Sequence, residues 1–74
     1  MTDTAEQLAT NKTLGVNLLA GEGLASQSLL HRVVNRTAFI MGEVREDSQT
    51  ETVRSVAEQT PGVERVVTHI ALEQ

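Results

Sequence analysis

The sequence predicts an α+β fold: an α-β-β-α-β sandwich, with two helices packed on a three-stranded mixed sheet. Three observations carry this expectation. The run TAFIMGEV at positions 37–44 reads as a strand that carries a glycine at position 42. A Ser-x-x-Glu signal at Ser48 and Glu51 opens a helical stretch just beyond it. Pro61 and Gly62 then stop that stretch before a second valine-rich run.

The elements follow in order. Positions 4–20 read as a first helix, with Thr4 and Gln7 matching a capping box. Leu8, Val16 and Leu19 fall on one face with Leu18 at its edge, and Gly21 is placed to end the helix in a left-handed conformation. Asn11, Thr13 and Gly15 are poor helix formers, so packing more than propensity must hold this helix. A short loop over 22–27 leads to SLLHRVV, whose apolar residues do not alternate and so predict a strand covered on both faces or central in a sheet. Asn35 and Arg36 read as a two-residue hairpin turn, with a longer turn as the alternative because Arg36 stands where glycine is preferred.

In the second strand Ala38, Ile40, Gly42 and Val44 share one face, and Thr37, Phe39, Met41 and Glu43 the other. A strand glycine marks a close approach by another backbone or helix, and the following helix is expected to cross the Gly42 face. That helix carries a narrow stripe of Val53, Val56 and Ala57, with Asp47 near its positive end. Arg54 and Glu58 stand four apart and can pair for about 0.3 kcal/mol. The last strand places Val66, Thr68, Ile70 and Leu72 on one face. Strand, helix and strand form a crossover unit, parallel and right-handed if both strands share a sheet.

Composition narrows the function. With 74 residues and no linker or repeat, positions 1–74 form one domain. A chain this short buries only about 60 % of its unfolded surface, so its stability is expected near roughly 5 kcal/mol. It has no cysteine for a disulfide or thiolate metal site, and one Phe without Trp or Tyr leaves an aliphatic core lacking base-stacking platforms. Six Lys+Arg against ten Asp+Glu give a net charge of −4, so no nucleic-acid partner is expected. No apolar run approaches the roughly 18 residues of a transmembrane helix. MTDTAEQLAT has neither the basic nor the apolar region of a signal peptide. Two alternatives remain: a cytosolic protein, or a mature or excised fragment begun with an added Met.

The pattern Ala38-x-Ile40-Met41-Gly42-x-Val44, then a helix, then Pro61-Gly62-Val63-x-x-Val66-Val67, resembles the BON domain of bacterial envelope proteins. The best-matched part covers positions 28–72. The sequence departs from the family pattern at Arg36, where the hairpin often carries glycine, and in having no lipobox cysteine. The resemblance implies a non-enzymatic module of the periplasm or outer membrane, a setting in which many members are lipoproteins. It implies association with phospholipid or with partner proteins, in support of envelope integrity under osmotic stress. The motif residues Gly42, Gly62, Val63 and Val66 carry over as fold determinants, with no catalytic site and no cofactor.

The residues themselves offer little chemistry. His31 and His69 lie on separate strands and, with Glu43 or Glu73, fall short of a recognisable ligand spacing, so no metal is expected. Ser26, Ser28, Ser48 and Ser55 have no nucleophile motif around them, and Glu43, Glu46 and Asp47 read as a solvated loop. Gly21-Glu22-Gly23 lacks the Lys-Ser/Thr of a phosphate loop, and no basic Gly-x-x-Gly loop supports a KH-type module. Asn11-Lys12-Thr13 and Asn35-Arg36-Thr37 match the glycosylation sequon, a three-residue match with no functional weight.

The expected working surface is Phe39 and Met41 among Arg36, Arg45 and Arg65, if the helices leave that face open. Anionic phospholipid is one candidate partner, although a net charge of −4 opposes it unless the arginines cluster. Another protein, a second BON domain or a self-assembly partner using an unpaired sheet edge is the alternative.

Overall fold

A computed structural model describes residues 4–21, 23–24 and 28–73. The elements are α1 (Thr4–Ala20), β1 (Ser28–Val34), β2 (Thr37–Val44), α2 (Asp47–Gln59) and β3 (Arg65–Leu72). The α+β order and the mixed three-stranded sheet are those expected from the sequence. Most of the expected loop over 22–27, Ser26 included, lies outside the described residues.

The strand order is β1-β2-β3, antiparallel between β1 and β2 and parallel between β2 and β3. β1 is therefore an edge strand and not a central one. Its inward residues Leu29, His31 and Val33 alternate with exposed Leu30, Arg32 and Val34. The sequence concealed this alternation because Leu30 and Val34 are apolar yet face outward, while His31 is polar yet faces inward.

Asn35 and Arg36 do form the two-residue turn, with φ of 49° and 62°. Positive φ at both central positions matches the right-handed twist of the flanking strands. Arg36 is held in this unfavourable region by its surroundings. Its carbonyl accepts from Glu64 N at 2.7 Å and Arg65 N at 3.2 Å, and its guanidinium reaches Glu64 at 3.0 Å and Glu6 at 3.4 Å. Gln7 adds a further clamp, accepting from Asn35 N at 2.6 Å, so it secures the hairpin turn.

Both helices cover the Ala38–Ile40–Val44 face of β2. Leu14 and Leu18 of α1, Val53 and Ala57 of α2, and Leu24, Val33, Ala38 and Ile40 make the buried cluster, against which Val63, Val66 and Ile70 pack. The buried face of α1 is thus Thr10–Leu14–Leu18, an i, i+4, i+8 row, and the expected face of Leu8, Val16 and Leu19 is exposed. Thr10 packs where it does because Gly62 admits it: a Cβ at Gly62 would stand 2.6 Å from Thr10 Oγ1. Gly62 has φ 94° and Val63 N donates to Thr60 O at 3.1 Å, the geometry of a type II turn with proline at its second position. Thr60, buried, ties the helices together by donating to Val56 O and accepting from Asn17 Nδ2.

Two local expectations shift. The cap of α2 lies two residues earlier than Ser48: Glu46 is the N-cap, and Gln49 Oε1 accepts from Arg45 N at 2.9 Å and Glu46 N at 3.0 Å. Gln49 Nε2 also donates to Gly23 O, fastening the α1–β1 connection to the start of α2. Gly21 accompanies the end of α1, but the left-handed glycine of that connection is Gly23, at φ 75°.

Gly42 is needed for a different reason from the one expected. Its φ is 149°, and a Cβ there would overlap the carbonyl oxygen of Ser28 and stand 3.0 Å from Leu29 Cα. The close neighbour is the backbone of β1, not the following helix.

Candidate interaction surface

With both helices on one side, no other element among the described residues covers the other side of the sheet. Strand pairing fixes what stands there. Leu30 lies opposite Met41, Arg32 opposite Phe39 and Val34 opposite Thr37 across β1 and β2. On the other flank Arg65 pairs with Thr37, Val67 with Phe39, His69 with Met41 and Ala71 with Glu43. Leu30, Phe39 and Met41 remain 69 %, 42 % and 52 % exposed. Leucine, phenylalanine, methionine and valine from three strands thus form a contiguous apolar patch in solvent, the kind of surface that marks an interaction site.

The charges around the patch are ordered by position along the strands. Arg32 and Arg65 stand at the hairpin end, and Glu43 stands at the other. Glu73 follows Ala71 by two residues and extends the ladder, its N–H donating to Val44 O at 2.7 Å. Of the arginines expected to surround Phe39 and Met41, Arg65 borders the patch at the hairpin end, Arg45 follows Glu43 by two residues at the opposite end, and Arg36 does not join them. Arg36 is turned to Glu64 and Glu6, whose carboxylates, Glu64 foremost by its hydrogen bond, push its guanidinium pKa higher still. Arg45 sits just beyond β2, about eight residues or some 26 Å of strand from the Thr37 end. Arg32 was missed in the sequence, although the two-residue turn at Asn35 and Arg36 fixes its place opposite Phe39.

A second concavity runs between α1 and the free edge of β1. It measures about 390 Å³ and is bordered by Asn11, Gly15, Val16, Leu19, Leu29 and His31. His31 is positioned there by packing on Gly15, where a Cβ would come within 2.9 Å of Nε2, and by donating from Nδ1 to Asn11 Oδ1 at 3.0 Å. His31 lies on the helix face and His69 on the open face, with β2 between their strands, so the two imidazoles do not meet. Among the described residues no group of three or more His, Cys, Asp or Glu is placed to hold a metal ion. Arg54 donates to Thr68 Oγ1 at 3.1 Å, reaching across to β3 instead of along its helix toward Glu58.

No helix among the described residues is long and apolar enough to cross a membrane. Against known protein families the chain matches no family model. It also matches no curated protein.

Proposed function

We propose that this domain is a non-enzymatic binding module of the bacterial envelope and that its working surface is the uncovered sheet face, used to hold another protein surface. The observation that carries the proposal is the exposure of Leu30, Phe39 and Met41 side by side on a face neither helix covers. The resemblance of the Gly42 and Pro61-Gly62-Val63 motifs to the BON domain supports the envelope setting. Protein is favoured over lipid by the arrangement of charge. An anionic membrane attracts a basic field around the apolar contact, whereas this patch has Arg32 and Arg65 toward one end and Glu43 and Glu73, with Arg45 beside them, at the other.

A second reading, association with anionic phospholipid, has one specific observation in its favour: Arg32 and Arg65 both border Phe39 at the hairpin end. Co-sedimentation with anionic and neutral vesicles, at low and physiological salt, separates the two. The protein reading expects the domain to stay in the supernatant throughout. Salt-sensitive pelleting that Arg32→Glu with Arg65→Glu removes would replace it with the phospholipid reading.

A further inference from the structure

We infer that the occupant of the uncovered sheet face is a second copy of this chain, packed face to face with its strands running opposite to those of the first. This rests on the proposal that the open face is the working surface, and it names the partner.

The charges on this face lie in order along the strands. Running along β2 from Thr37 to Val44, the face begins with Arg65 level with Thr37, continues through Phe39 with Arg32 beside it and Met41 with Leu30 beside it, and ends with Glu43. Glu73 lies at the same end by the alternation that continues past Ala71. Arg45 follows Glu43 by two residues and adds one positive charge there, so that end carries two carboxylates against one arginine. The pattern is positive, apolar, negative. Turned by a two-fold axis through the middle of β2, it becomes negative, apolar, positive, which is its own complement.

A two-fold contact must be self-complementary in this way, since the same patch serves both subunits. The axis falls between Phe39 and Met41, so the ring of each copy meets the thioether of the other, a favourable sulfur–aromatic contact. Arg65 of each copy, level with Thr37, then faces the end of the other that holds Glu43 and Glu73, while Arg32, level with Phe39, stands one strand and two positions from Glu43 of the other. The result is two sheets packed face to face, the arrangement in which a one-sided sheet ordinarily buries its second face. A membrane or a uniformly charged partner would leave one end of this pattern opposed by like charge.

The size of the face sets the strength. Three strands spaced about 4.8 Å apart, each rising about 3.3 Å per residue, give a footprint of roughly 14 by 26 Å per copy. That is below the roughly 800 Å² per partner of a standard interface even after allowing for side-chain relief. The pairing is therefore weak and concentration-dependent.

Sedimentation equilibrium across about 10 µM to about 1 mM, the range expected of a small interface, tests this with charge reversal. Wild-type mass should rise with concentration toward a dimer. Arg32→Glu with Arg65→Glu should weaken self-association by about tenfold or more, because like charges then meet at both ends. Glu43→Lys with Glu73→Lys should weaken it comparably, although these substitutions remove the net negative charge and general repulsion with it. Mixing the two variants should restore association as a heterodimer, which also shows that both remain folded.

Three outcomes overturn the inference: wild-type that stays monomeric throughout, reversed variants that associate as wild-type does, or a mixture that fails to recover. Association indifferent to the reversals would point to pairing through the free edge of β1 instead. A monomeric domain would still leave the open face available to a different protein, so the two proposals fail separately.

Discussion

Replacing Gly42 by alanine is expected to unfold the domain or to lower its melting temperature by roughly 15 °C or more, as followed by circular dichroism. Two costs add at this position. The backbone holds φ at 149°, where side chains are strained, and the new Cβ would overlap the Ser28 carbonyl oxygen, a main-chain atom that cannot rotate away. Together these come to about 3 kcal/mol or more. A domain of this size has roughly 5 kcal/mol in total. The strand pair that Gly42 permits, Leu29 opposite Gly42, anchors one end of β1. An unchanged melting temperature would mean that β1 does not approach β2 as described.

The second large effect separates the two faces of α1. Leu14→Ala removes a side chain with no exposure, next to Val53 and Ala57 in the buried cluster, and should cost about 3 kcal/mol. Leu8→Ala removes one that is 66 % exposed and should change stability by less than about 0.5 kcal/mol. Both substitutions exchange leucine for the best helix former, so propensity contributes equally to each. Urea denaturation of the pair reads the difference directly. Equal losses would place Leu8 in the core and reverse the orientation of the helix.

That contrast shows where the sequence was legible and where it was not. The period-two assignment of β2 holds, with Ala38, Ile40 and Val44 buried on one face and Phe39 and Met41 exposed on the other, which the sequence expected if the helices left that face open. The Pro61-Gly62 stop and the Val53–Ala57 stripe were equally direct. The first helix misled because it carries two apolar rows. Leu14 and Leu18 are joined by Thr10, whose burial depends on Gly62, 52 positions further along the chain. Nothing local to α1 reveals that partner.

The candidate surface divides in the same way. Phe39 and Met41 were visible from β2 alone. Which arginines stand beside them depended on long-range pairing: Arg36 is claimed by Glu6 and Glu64, each about 30 positions distant. Arg32 was hidden because β1 looked like a covered strand. Its place follows once the turn at Asn35 and Arg36 sets Val34 against Thr37, since every later pair in the hairpin is then determined.

We propose that two copies of this domain meet through the uncovered sheet face. A dilution series of nuclear magnetic resonance spectra, reading the methyl groups of Leu, Val and Met, tests it most directly. The account predicts concentration-dependent shifts at Leu30, Val34, Met41 and Val67, with Leu8, Val16 and Leu19 on α1 unmoved. Shifts confined to α1 and Leu29, along the groove beside the free edge of β1, would contradict it, and so would spectra that do not change with concentration at all.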